Sequence, residues 1–179
     1  MNLDKINEEV FVARDPIVRF GDEEIAFLKR QAKASPRRRA RICAHRTNAD
    51  ALHEMVIAIA ADSYIHPHRH VGKSESFHIV EGEVDVVVFE DAGDISEVIR
   101  LGAPASGRSF YYRLSESAFH TLLIRTDFLI VHEVTNGPFD RDRTVLAPFA
   151  PPEDRADEAH AYMDRVAERA ARYLRTGAP

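Results

Sequence analysis

Three histidines at alternate positions, His66, His68 and His70 in YIHPHRH, are the residues of this sequence with the clearest chemistry. Imidazole is not a favoured strand filler, and three charged rings side by side repel one another. In an extended segment alternate residues project from one face. Two such rings can therefore reach one ion, and neutral imidazole is a good ligand for zinc, iron, copper, nickel or manganese. Glu75 follows five residues after His70, so a short bend can return its carboxylate to the same ion. The competing reading is a wet polar strand that holds no ion. Gly82 comes next, in a turn signal, and His120 follows in a later apolar segment, FHTLLI.

The elements that must position these groups are mostly strands. ARICAH (40–45), EMVIAIA (54–60), SFHIV (76–80), VDVVVFE (84–90), SEVIRL (96–101), SFYYRL (109–114), FHTLLI (119–124) and DFLIVHEV (127–134) alternate or are β-rich. TNAD, EGE, EDAGD and APASG separate several of them. At least eight short strands with no helix between them imply an antiparallel sandwich or small barrel. One helix is predicted before them, over 20–36, with Asp22 as its cap and Pro36 as its stop. A second is predicted over 152–175, with Met163, Val166, Ala170 and Leu174 along one side and Tyr162 and Tyr173 beside them. It packs on the outside of the barrel or contacts a second subunit. Residues 1–20 give only a weak signal. The expected organisation is a single domain over 1–179: an N-terminal segment and helix (1–38), a barrel (39–149) and a C-terminal helix (150–179).

Composition narrows the function classes. The chain has 179 residues, 45% apolar and 30% charged, with a net charge of −5. That balance argues against nucleic acid or an anionic membrane as partner. PRRRAR (36–41) is basic but short, and it runs into a predicted strand. Cys43 is the only cysteine, so no internal disulfide is possible. No apolar leader is seen in the first 20 residues and no run is long enough to span a bilayer, so a cytoplasmic protein is expected.

The order His-x-His, four residues, Glu, six residues, Gly, and then a distant His resembles the cupin pattern. His68, His70, Glu75 and Gly82 match its first motif. The second motif is matched in part by RLSESAFHTLLI: His120 is present, the usual proline and glycine before it are not, and Ile124 stands where asparagine is usual. The departure bears on the loop shape more than on the ligand. ASPRRRARICAHRT, PHRHVGKSESFHIVEGEVDVVVFEDAG and FLIVHEVTNGPFD further resemble the WbuC-type cupin fold metalloproteins, small bacterial proteins of which some are encoded among surface-polysaccharide genes. The likeness covers about residues 20–141. It implies a mainly β fold, a cupin-type double-stranded β-helix forming a small antiparallel barrel with a helix outside at each end. It also implies His68, His70, Glu75 and His120 as ligands of one divalent transition metal ion (Zn, Fe, Mn or Ni), an open site, and a homodimer. The matching activity is metal-dependent chemistry on a small polar substrate, such as a sugar or nucleotide-sugar derivative. The alternatives are an iron dioxygenase and a non-catalytic binding or metal-sensing module.

Other polar residues bear on that choice. Glu133 interrupts an apolar strand; it faces outward, or it orients a ligand histidine, or it is an acid/base beside the ion. His66, on the predicted face of His68, reads as a pocket wall rather than a fifth ligand, and with Glu133 and Arg41 it makes up the candidate catalytic set, His66 or Glu133 moving the proton. Arg39, Arg41, Cys43 and His45 share one face, and if it points inward, Arg41 and His45 approach the pocket. Lys73 either holds a substrate anion at the mouth or is solvated, and Tyr112 is a candidate pocket donor. His78 falls on the outer face; His53, His132 and His160 read as surface or satisfied polar residues.

Overall fold

A computed structural model describes residues 1–177. In chain order it contains β1 (Leu3–Lys5), β2 (Val10–Ala13), α1 (Asp22–Ala34), β3 (Arg39–Cys43), β4 (Leu52–Ala60), β5 (His68–His70), β6 (Glu75–Glu81), β7 (Glu83–Phe89), β8 (Ile95–Gly102), β9 (Tyr111–Leu114), β10 (Phe119–Ile124), β11 (Phe128–Asn136), β12 (Thr144–Leu146) and α2 (Ala156–Thr176). The strands form two sheets, one ordered β1-β2-β3-β4-β11-β6-β9 and the other β12-β5-β10-β7-β8. Pairing within the sheets is antiparallel except between β2 and β3.

Alternation decides what lies between the sheets. Met55, Ile57 and Ile59 of β4, Phe77 and Ile79 of β6, Val84, Val86 and Val88 of β7 and Leu129 and Val131 of β11 point inward into one apolar cluster. The intervening residues point outward and are covered by the helices. Ala40, Ile42, Val56, Ala58 and Ile130 pack under Leu28 and Ala32 of α1. Val87, Phe89, Phe119 and Leu123 pack under Tyr162, Val166 and Ala170 of α2. Burial on both faces explains why VVVF (86–89) and FLIV (128–131) read as continuous apolar runs.

The structure departs from the sequence expectations in places with local causes. The first 20 residues form β1 and β2, a hairpin that extends the larger sheet alongside β3. Three- and four-residue strands are too short to carry a period. β12, three residues long, carries no period either. Gly21, not Asp22, precedes α1, and its N–H donates to Glu24 Oε2 at 3.0 Å. The helix stops at Ala34, because Pro36 disfavours helical backbone at Ser35. Three of the four arginines of the basic run pair within the chain: Arg37 Nε with Glu9 (2.8 Å), Arg38 Nε with Asp62 (3.0 Å) and Arg39 Nη2 with Glu153 (2.8 Å). Leu174 of α2, expected on the packed stripe, is exposed.

Candidate metal centre

Pro67 shapes the start of the site. It confines His66 to extended backbone and cannot donate to a ladder, so the strand begins only at His68. β5 is three residues long and is held on both sides. His68 lies opposite His120 of β10 on one side and Leu146 of β12 on the other, with His70 opposite Thr144. Gly72, at φ +67°, turns the chain back, and β6 opens with Glu75 facing in. The ring centroids of His68 and His120 are 4.6 Å apart, those of His68 and His70 4.9 Å.

The four side chains converge. One ligand atom from each of His68, His70, Glu75 and His120 lies within 4.8 Å of the other three. Glu75 is buried between two rings, with Oε2 3.3 Å from His70 Nε2 and Oε1 3.4 Å from His120 Nε2. His68 Nδ1 lies 2.9 Å from the His66 carbonyl, and His120 Nδ1 3.0 Å from that of Ala118. A carbonyl only accepts, so each Nδ1 carries a proton, and in the neutral ring each Nε2 keeps a lone pair for an ion. His70 Nδ1 is 3.3 Å from Thr144 Oγ1. Tyr112 Oη donates to Glu75 Oε1 at 2.7 Å. Three oriented imidazoles and one carboxylate, each with an outer partner, are the donor set of a divalent transition-metal site. The residues fit the ion that the cupin pattern implies.

Electrostatics agree with that fit. Burial, together with the charge of His120, pushes His68 down to about 3, so it stays neutral and able to coordinate. Burial alone would raise Glu75, but the charges and hydrogen bonds of His120 and His70 outweigh it and hold the carboxylate well below its usual range. Burial lowers His120, and Glu75 more than reverses that. Tyr112 is pushed up by burial and by Glu75, so it remains a donor.

Below the ligands lies a second polar layer. Across the larger sheet Glu75 stands opposite Thr135, and Thr135 opposite His53. One row deeper, Phe77, Glu133 and Met55 are aligned, flanked by Tyr112 and Cys43. Glu133 therefore faces inward. Its carboxyl is pushed up to about 8, first by burial and then by the charge of Glu75, while Arg41 and His120 act in the opposite sense. Arg41 is inward too, with Nη1 3.8 Å from Met55 Sδ. The ligand rings take their orienting bonds from His66 O, Ala118 O and Thr144, so orientation of a ligand histidine does not fall to Glu133.

Other predicted residues lie elsewhere. The His66 ring does not join the four. Its Nε2–H donates to the Ala147 carbonyl at 3.1 Å and its ring lies beside Tyr64, because Pro67 breaks the alternation assumed for a longer strand. His66 reaches the site through its carbonyl instead. His45 is turned to Glu54 and stacks on His53, centroids 4.0 Å apart. His53 is buried, not on the surface. Lys73 Nζ donates to the Pro138 carbonyl at 2.9 Å. His78 is on the outer face, 5.5 Å from the Phe110 ring. Tyr112 matters more than alternation within SFYYRL could tell, since its partner is visible only once β9 is known to pair with β6.

Comparisons with known proteins bear on the fold. The family described as a domain of unknown function (DUF6016) matches residues 20–101. The comparison with curated proteins returns no match. A Shewanella oneidensis protein of known X-ray structure superposes with a TM-score of 0.51 at 14% identity, over 62% of this chain and 73% of its own. The chain has the cupin-type double-stranded β-helix fold. Two further similar structures are an uncharacterized conserved protein with a double-stranded beta-helix domain from Klebsiella pneumoniae (15% identity, TM-score 0.47, 61% of this chain and 79% of that one) and KdgF from Halomonas sp. (16%, 0.46, 60% and 84%). With the fold on the page, His68, His70, Glu75 and His120 form a group that could bind a metal ion. Among the described residues no helix is long and apolar enough to cross a membrane.

Proposed function

We propose that this cupin is a metal-dependent enzyme that moves a proton on a small polar substrate, as in isomerisation or epimerisation, with His68, His70, Glu75 and His120 as the metal ligands. One observation carries the reading: Glu133 faces into the barrel, one row below Glu75, with a proton affinity raised to about 8. A divalent ion held by the four ligands supplies Lewis acidity to substrate oxygens. Glu133 is then placed to hold or release a proton, the task of a general acid/base. Arg41 limits how far that affinity rises, and Tyr112 keeps the Glu75 carboxylate charged and fixed. A module that only binds its ligand has no use for an inward carboxyl beneath the ligands with a guanidinium also turned inward, and both face inward here. The resemblance to WbuC-type proteins favours sugar or nucleotide-sugar derivatives as substrates.

The test is solvent deuterium uptake by a panel of sugar phosphates and nucleotide sugars, after elemental analysis of untagged protein. Wild type exchanges a carbon-bound hydrogen of one panel member. Glu133→Gln keeps its metal and loses at least about 100-fold in exchange, the usual worth of a general base. A Glu133→Gln variant that exchanges at the wild-type rate refutes the assignment of Glu133. Iron in the protein with oxygen uptake and no exchange would establish dioxygenase chemistry instead.

A further inference from the structure

The loop from His70 to Glu75 and the loop from Leu114 to Phe119 carry chain directly into three of the four ligands, and between them lies a polar cleft of about 380 Å³. Lys73, Ser74, Arg113, Ser115, Ser117 and Asn136 line it, and no carboxylate does. In a chain of net charge −5, two cations facing one small cavity without an acid among its lining residues stand out from the surroundings.

The hydrogen bonds give the cleft a polarity. Arg113 Nη2 donates to Ser74 Oγ at 2.9 Å and Arg113 Nε donates to Ser115 Oγ at 3.2 Å. Both hydroxyls thus accept from the guanidinium, which turns their own O–H groups outward as donors. Asn136 Oδ1 accepts from the Ser74 N–H at 2.8 Å, so its amide NH₂ is left as a donor. Lys73 Nζ uses one N–H on the Pro138 carbonyl and keeps two. A guanidinium, an ammonium, hydroxyls and an amide, all presenting hydrogens, suit a group with several anionic oxygens.

We infer that this cleft is an anion subsite of the barrel mouth that receives the phosphate group of a small phosphorylated substrate. The inference rests on the reading of the mouth as a substrate site, and it places the charged end of the substrate over Arg113 while the reacting end faces the metal ligands. A carboxylate offers two oxygens to the same donors, whereas a phosphate monoester offers three, which the donor count matches better.

The experiment is calorimetric titration of inorganic phosphate, and separately of acetate, into metal-stripped protein, so that the result does not depend on the metal reading. Wild type is expected to bind phosphate saturably. Arg113→Gln should weaken it roughly tenfold, the worth of one charge-assisted hydrogen bond. Lys73→Gln, in an exposed turn, should weaken it in the same direction and stands in if Arg113→Gln fails to fold. His68→Ala should leave it unchanged. The inference is overturned if phosphate does not bind, if binding survives both cleft substitutions, if His68→Ala abolishes it, or if acetate binds as tightly as phosphate. Metal content, measured on the same samples, tests the metal reading independently.

Discussion

The Tyr112–Glu75 contact sets how tightly the four ligands hold. The phenol donates 2.7 Å to an oxygen that also faces His120, so it fixes the carboxylate rotamer and stabilises its charge. Tyr112→Phe keeps the ring, which is packed at right angles to Phe77. We expect the variant to fold normally and to bind metal about 10- to 100-fold more weakly, the usual cost of an outer-shell partner; competition with a coloured chelator measures this, and an unchanged affinity would show that the contact only packs. Glu133 makes a prediction of known sign. Its folded value, about 8, lies above the ordinary 4.5. Between these the folded protein holds a proton that the unfolded chain has released, so the stability it contributes is full below the lower value and falls as pH rises through the upper one. Metal-free Glu133→Gln has no such slope. Its denaturation midpoint should gain on that of wild type from about pH 5 to about pH 9; a constant difference would place Glu133 in water. Much of this scale was legible in the sequence. His68, His70, Glu75 and His120 follow a spacing, and spacing survives folding. Tyr112 and His66 do not, because one depends on cross-strand register and the other on a proline that ends the alternation.

At the scale of elements, the passage from one sheet to the other decides the geometry. β6 belongs to the larger sheet and β7 to the smaller, and Gly82 joins them at φ +88°. A Cβ there would stand 2.3 Å from the Phe128 carbonyl and 2.6 Å from Thr126 Oγ1, so both conformation and space demand glycine. Gly82→Ala should cost about 2 kcal/mol or more, since a strained backbone and a clash add. Chemical denaturation measures it, and a cost below about 0.5 kcal/mol, the range of surface substitutions, would mean that the turn relaxes freely. The strands that could be read in the sequence were β3, β4 and β6 to β11, whose segments alternate or are β-rich. FHTLLI has its predicted bounds, and the others shift by a residue or two. β1, β2, β5 and β12 have three or four residues each, and long-range pairing rather than local pattern makes them strands. α2 was legible because an apolar stripe at helical spacing needs no partner to be recognised, and its docking on the smaller sheet buries that stripe.

At the scale of the molecule, the ligands come from both sheets. His68, His70 and His120 belong to the smaller sheet and Glu75 to the larger, so an ion among them ties the two together at the mouth. Deeper in, the sheets need no such tie, because the inward cluster from Ile57 to Val131 is apolar throughout. Metal should therefore stabilise the fold without being required for it. Binding to the folded state alone adds RT ln(1 + [L]/Kd), about 2.7 kcal/mol with metal at 100 times Kd. For a chain of this size that is roughly 5 to 10 °C in Tm, at about 2 to 4 °C per kcal/mol. Chelation of wild type should lower Tm by about that amount and leave a single cooperative transition. His68→Ala and His120→Ala, purified without metal, should melt near the chelated wild type and respond little to added metal. As pH falls, protons compete with the ion for the ligand imidazoles, so metal should be lost as the medium turns acid. A chelated protein that loses its far-ultraviolet circular dichroism would place the ion in the folding nucleus instead, and would turn an open site at a barrel mouth into a structural one.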